Sequence, residues 1–199
     1  MIDYETEDPS VLKTLSENWH HPISRSDGQL HEVLDEMTAW KINPKDVPLI
    51  IKLVENPKYS TSNLFTGAVD LFTHDCIHIV LGRGILPKDE AFVIGFTMGS
   101  TKRVGWWRRN LFMFVSKYLY PDEYRFGEEE RFVFSMGVMA GSLCETDLSE
   151  VKFCSLSLSN IGEIRDYLKI NTKLLKHCYA LEKKCFPNSK ESSRLLKTK

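Results

Sequence analysis

The sequence predicts an all-α protein, built as a single-domain helical bundle. Apolar residues recur three and four positions apart through most of the 199 residues, and Pro or Gly marks where such segments begin and end. Only one short stretch alternates in the manner of a strand. We therefore expect one helical domain over residues 1–186, followed by a flexible basic tail over residues 187–199.

Four helices are predicted in the first half of the chain. Acidic or hydroxyl residues precede each of them, as is typical of helix N-caps, and Pro stands in the first turn of two. The fourth helix is expected to end where Gly82 follows the last apolar residue. The expected bounds are Asp8 to Trp19, Gln29 to Ile42, Asp46 to Asn56 and Ser62 to Leu81.

The second half of the chain is predicted to be helical apart from one segment. Pro87 occupies the first turn of one helix, which Gly99 and Gly105 are expected to interrupt. Gly137 and Gly141 lie four residues apart and predict close packing against another helix. The remaining expected segments are helices over Trp106–Tyr120 and Glu128–Cys144, a candidate strand over Val151–Ser159, and one or two helices over Ile161–Lys184.

The composition is that of an ordinary globular protein with balanced charge. There are 26 Lys and Arg against 27 Asp and Glu, which argues against a nucleic-acid partner held by a globally basic surface. The longest uncharged stretch, residues 132–144, is shorter than the roughly 20 residues that span a membrane. The acidic N-terminus does not resemble a secretory signal, so we expect a cytoplasmic protein, with peripheral membrane contact left open. The five scattered cysteines predict reduced, mostly buried thiols.

One segment of the sequence predicts a metal site. His74 and His78 lie four residues apart, so a helix places both imidazoles on one face, where they can bind one cation. Asp75 can supply a further ligand or orient one of the imidazoles. A turn at the glycines after Leu81 allows the next helix to bring Glu90 back to the same place. Two imidazoles and a carboxylate with an open position are typical of catalytic zinc and of non-haem iron.

The sequence of this segment leaves alternative roles open for the two histidines. They can be structural residues hydrogen-bonded to Asp70 or Asp75, and Asp70 can also orient a metal-bound imidazole. A zinc protease is disfavoured because Asp75 stands where such enzymes use the longer Glu. A His-Asp metal phosphohydrolase requires an upstream histidine such as His31 and a downstream Asp to complete the site.

The motif resembles that of a known family. His-Asp-x-x-His followed by eleven residues and Glu is the signature of the fourth protein of ubiquinone (coenzyme Q) biosynthesis, the ubiquinone-four family. His74, Asp75, His78 and Glu90 match it at every spacing. The match is close over residues 74–90 and loose over about 60–145. It differs in lacking a basic residue shortly before the motif and in having Thr97 where the family tends to have an acid.

The resemblance implies an all-helical protein that binds a divalent metal, usually zinc, at these four residues. It also implies a prenylated aromatic or lipid-like ligand. In the family the ring carboxylate of the quinone precursor is replaced by hydroxyl, or the protein serves as a membrane-bound scaffold. We therefore expect a metal-dependent enzyme in which Asp75 takes part in catalysis, with zinc as the metal and iron or cobalt as alternatives. The alternatives in function are a non-catalytic scaffold with a structural metal and the phosphohydrolase.

A basic and aromatic segment predicts contact with an anionic surface. Residues 102–109 contain four Lys and Arg and two Trp, a composition typical of membrane interfaces. A basic turn with two core tryptophans accounts for the same pattern equally well. Nothing in the sequence decides whether the protein forms a homo-oligomer.

Overall fold

The computed structural model describes residues 19–39, 69–101 and 126–196 of the chain. These residues form seven α-helices, two short 3-10 helices and no strand, which confirms the predicted all-α fold. The α-helices are α1 (Leu30–Ala39), α2 (Leu71–Leu81), α3 (Pro87–Ser100), α4 (Glu128–Ser142), α5 (Ile161–Tyr167), α6 (Thr172–Cys185) and α7 (Lys190–Arg194). None of the helices in the described ranges has the length and apolar character needed to cross a membrane.

Helix α2 has well-defined ends. The Asp70 carboxylate accepts a hydrogen bond from the Thr73 N–H at 2.8 Å, which makes Asp70 the N-cap. Gly82 ends the helix in the left-handed conformation, with φ of 73°, where a side chain would also collide with the backbone of Ile23. The predicted end is confirmed. The predicted start at Ser62 is wrong, because the backbone of Asp70 is extended and α2 begins at the next residue, Leu71.

Helices α3 and α4 pack closely through glycines on both of them. A Cβ atom on Gly95 or Gly99 would collide with the α4 backbone, and one on Gly137 or Gly141 with the α3 backbone. The predicted close packing of α4 is therefore confirmed. The prediction that Gly99 interrupts α3 is wrong, because its missing side chain serves this contact inside the helix.

Two side chains from the C-terminal half fix the end of α2. The Arg165 guanidinium is buried and donates to the carbonyl oxygens of Val80 at 2.9 Å and Ile79 at 3.3 Å. The Tyr179 hydroxyl donates to the Leu81 carbonyl at 2.5 Å. The last carbonyls of a helix have no partner within the helix, so these bonds satisfy them and hold α2 in place.

The candidate strand over residues 151–159 is wrong. Residues Phe153–Leu156 form a 3-10 helix, in which Ser155 N–H donates to the Lys152 carbonyl at 3.0 Å. The Ser155 hydroxyl donates to the same carbonyl at 2.8 Å. Serine side chains that bond their own backbone favour turns over strands, which explains the outcome.

Residues 187–196 of the predicted tail pack against the rest of the protein. Ser189 caps α7 by accepting from the Ser192 N–H, and Leu195 is 0 % exposed. The Arg194 side chain pairs with Asp89 of α3. The tail is polar in sequence, and two of its polar side chains, Ser192 and Arg194, have partners in the body of the protein.

Several predictions fall outside the described residues. These are the helices expected to open at Asp8, at Asp46 and at Trp106, and the basic and aromatic segment at 102–109. The helix expected over Gln29–Ile42 is confirmed from Leu30 to Ala39, and the region expected to contain one or two helices over Ile161–Lys184 contains α5 and α6. All five cysteines are free thiols, and three of them are buried.

Candidate metal centre

Two consecutive helices bring three of the predicted residues together. His74 and His78 lie one turn apart on α2, and their ring centroids are 4.6 Å apart. Glu90 lies in the first turn of α3, which follows the turn at Gly82. One ligand atom from each of the three residues lies within 4.8 Å of the other two.

The distances in this group suit a bound ion better than direct hydrogen bonds. His74 Nε2 lies 3.4 Å from Glu90 Oε2, and His78 Nε2 lies 3.3 Å from Glu90 Oε1. Charge-assisted hydrogen bonds are usually about 2.7–2.9 Å long. Two ligands about 2.1 Å from a tetrahedral zinc ion are roughly 3.4 Å apart, which matches the observed spacing.

Four nitrogen and oxygen atoms of this group are buried without hydrogen-bond partners. His78 is 0 % exposed, His74 8 % and Glu90 9 %. Within the described residues no hydrogen bond reaches either ring nitrogen of His74, Nε2 of His78 or Oε2 of Glu90. A buried polar atom without a partner is costly and rare, so a group of them at one place requires an explanation. A cation held between the two imidazoles and the carboxylate would supply it, and the three residues can hold one.

A hydrogen bond at Nδ1, the ring nitrogen that does not face Glu90, sets the orientation of His78. Its Nδ1 lies 2.6 Å from the carbonyl oxygen of Gly84. Because a carbonyl can only accept, Nδ1 carries the proton and Nε2 presents its lone pair toward Glu90 in the neutral ring. Metal-binding histidines are usually held by such a contact on the other ring nitrogen.

Glu90 and His78 each favour the charged form of the other. Burial alone would raise the pKa of Glu90, but the neighbouring His78 and His74 outweigh burial and hold the pKa below its ordinary value. Burial alone would lower the pKa of His78, but the Glu90 carboxylate outweighs it and the pKa is raised. A buried carboxylate that stays ionised is stabilised by positive charge close to it.

Asp75 lies beside the group but does not belong to it. Its Oδ1 is 4.0 Å from His74 Nδ1, on the side of the ring away from the Nε2 that faces Glu90. The structure thus places Glu90, and not Asp75, as the third member with the two histidines. No hydrogen bond joins Asp75 to the His74 ring, so the second predicted role of Asp75, that of orienting an imidazole, stays a prediction.

Two further predicted residues do not reach the centre. Asp70 accepts hydrogen bonds from the backbone and hydroxyl of Thr73, so it caps α2. It makes no hydrogen bond to either imidazole, although such a bond was predicted. His31 lies on α1, and its Nδ1 is 3.1 Å from the carbonyl of Ser157. The phosphohydrolase alternative required an upstream histidine in the site, and the described residues do not bring His31 there.

A cluster of buried charges next to the centre was not predicted from sequence. Arg83 is 0 % exposed, and its guanidinium lies over the rings of Phe92 and Tyr179. Its Cζ atom is 4.1 Å from the ring centroid of Phe92 and 4.3 Å from that of Tyr179. It donates to both carboxylate oxygens of Glu182, at 3.1 and 2.5 Å. The sequence showed Arg83 only as part of a glycine turn, and no local pattern links it to a residue of α6.

Comparisons of the chain with protein-family models, with curated proteins and with solved structures find no match. His74, His78 and Glu90 form a group that can hold a metal ion.

Proposed function

We propose that the protein is a metal-dependent enzyme whose divalent ion binds to His74, His78 and Glu90. The observation that supports this most is the set of buried, unpartnered ligand atoms, with imidazole nitrogens and carboxylate oxygens 3.3–3.4 Å apart. Zinc fits two imidazoles and one carboxylate best, and iron or cobalt can occupy the same ligand set.

The number of ligands favours catalysis over a structural role. Structural zinc sites are closed by four protein ligands, whereas catalytic sites have three and keep a position for water or substrate. The group has three members among the residues that the structure describes. A non-catalytic scaffold with a structural metal is the rival, and it requires a fourth protein ligand.

The motif resemblance supports the substrate class. His74, Asp75, His78 and Glu90 match the ubiquinone-four signature, so we propose a prenylated aromatic carboxylate as substrate. The bond between the ring and its carboxylate breaks with release of CO2, and the electron pair left on the ring carbon takes an oxygen atom from an external two-electron oxidant, which gives the hydroxyl. A bound divalent metal would polarise the substrate carboxylate or phenolate and stabilise negative charge as CO2 leaves. Asp75 would orient His74 through its Nδ1 side, where the carboxylate lies 4.0 Å away. Peripheral contact with a membrane is part of the proposal, since such a substrate is lipid-like.

The test measures release of CO2 from a prenylated hydroxybenzoate labelled in its carboxyl carbon. The zinc-, iron- and cobalt-loaded proteins are compared with a His78→Ala variant and with His177→Ala, which removes an exposed histidine of α6. Metal-dependent release that is lost only in His78→Ala supports the proposal. Protein that binds metal but releases no CO2 supports the scaffold, and release that is equal in wild type and both variants contradicts the assigned site.

A further inference from the structure

The buried charge cluster connects the metal centre to the C-terminal helix. Its four members are less than a tenth exposed and come from three places in the chain: Arg83 and Asp89, Glu182, and Arg194. Burying an ionised group is unfavourable unless it is paired and hydrogen-bonded. All four are paired with one another, so the arrangement of the segments that contain them is tightly constrained.

The first connection leads from Arg194 to Glu90. The Arg194 guanidinium donates to Oδ2 of Asp89, the residue directly before Glu90. The same Oδ2 accepts from the Leu86 N–H at 3.2 Å and so completes the first turn of α3. Arg194 therefore holds the turn of backbone from which the Glu90 side chain extends.

The second connection leads from Arg194 to His78. Its guanidinium lies so close to Gly84 that a Cβ atom at that position would collide with it. The Gly84 carbonyl accepts from His78 Nδ1 at 2.6 Å. One side chain of α7 thus contacts the residue that orients His78 and the residue next to Glu90.

A third connection fixes α7 itself. The Ser192 hydroxyl donates to Glu182 Oε1 at 3.0 Å, and Glu182 in turn binds Arg83 of the glycine turn. Helix α7 is only one to two turns long, and a helix of that length depends on tertiary contacts for its stability.

We propose that Arg194, and with it α7, positions His78 and Glu90 for metal binding. Arg194 is not one of the three candidate ligands, so it is a positioning residue that acts through Asp89 and Gly84. The inference rests on the proposed metal centre, and it assigns to the C-terminal segment a role in that centre. Residues that hold metal ligands from behind typically change affinity about 10–100-fold when they are removed.

Titration with cobalt(II) tests the proposal, because the visible absorption of bound cobalt reports its coordination geometry. Arg194→Ala is expected to bind cobalt about tenfold more weakly and to show an altered spectrum at saturation. Arg194→Lys keeps a positive charge beside Asp89, so it is expected to recover part of the cobalt affinity and part of the wild-type spectrum. Ser193→Ala, on the same helix, is the matched control and keeps the wild-type affinity and spectrum. Wild-type affinity and spectrum in Arg194→Ala would overturn the proposal.

Hydrogen exchange on the wild-type chain gives a result even if Arg194→Ala does not fold. Coupling between two sites is reciprocal, so cobalt is expected to slow exchange of the amides of residues 190–194 as well as those of 82–90. The control is residues 148–156, since Leu148 contacts Ser100 at the opposite end of α3 from Glu90. No slowing over 190–194, or equal slowing over the control, would overturn the proposal. A wild-type protein that binds no cobalt would instead overturn the metal centre itself.

Discussion

The buried pair of Arg83 and Glu182 allows a sharp prediction of stability. Both side chains are 0 % exposed, and two hydrogen bonds of 3.1 and 2.5 Å join them. Removing one partner of a buried ion pair costs about 3–5 kcal/mol, because the remaining charge stays buried. In Glu182→Gln one acceptor oxygen survives and Asp89 still lies 3.7 Å from the Arg83 guanidinium. We therefore expect a loss of about 2–4 kcal/mol in the free energy of unfolding.

Urea denaturation followed by circular dichroism measures this loss. A protein of this size loses about 2–4 °C in Tm per kcal/mol, so Glu182→Gln should also melt about 5–15 °C lower. Glu128→Gln is the matched control, because the Glu128 side chain is 95 % exposed and its ion pair with Arg131 spans 3.9 Å. The control should change stability by less than about 0.5 kcal/mol. If Glu182→Gln lost less than about 1 kcal/mol, the cluster would not constrain the fold as described.

Three further predictions concern pH, packing and thiols. Burial and the neighbouring arginines lower the pKa of His21 from 6.5 to about 4. Because this folded-state pKa is lower than the unfolded one, the free energy of unfolding has its full value above about pH 6.5. It falls by about 3 kcal/mol as the pH is lowered to 4. Urea titrations across this range should give a flatter curve for His21→Gln, and an unchanged curve would contradict the assignment. Gly141→Ala should lower the free energy of unfolding by about 1–3 kcal/mol, because its Cβ would collide with the Phe96 carbonyl; a gain in stability, as expected from helix propensity alone, would refute the close packing. A thiol reagent should label Cys154 and Cys185 rapidly in the folded protein and all five thiols after unfolding, and rapid labelling of all five before unfolding would contradict the burial of the remaining three.

The helical fold and the core of the site were predictable because both depend on local spacing. Apolar periodicity and the glycine and proline signals predicted α3, the end of α2 and the region of α4. The four-residue spacing of His74 and His78 places them on one helix face, and a short turn then brings Glu90 to them. In each case the relevant residues lie close together in the sequence.

Two features were not predicted because a distant partner decides them. Gly99 was expected to break α3, but the approach of α4 makes a glycine favourable within that helix. Arg194 of the polar tail has its partner in Asp89, 105 residues earlier. No pattern within a short window contains these contacts.

The metal content of the purified protein tests the central claim most directly. Elemental mass spectrometry should find close to one zinc, iron or cobalt ion per wild-type chain and per His177→Ala chain. It should find almost none in His78→Ala, because the variant loses the nitrogen that lies 3.3 Å from Glu90. Equal, negligible metal in all three proteins would contradict the proposed metal centre. The two imidazoles and the carboxylate would then form a buried ion pair, and the motif would serve the fold alone.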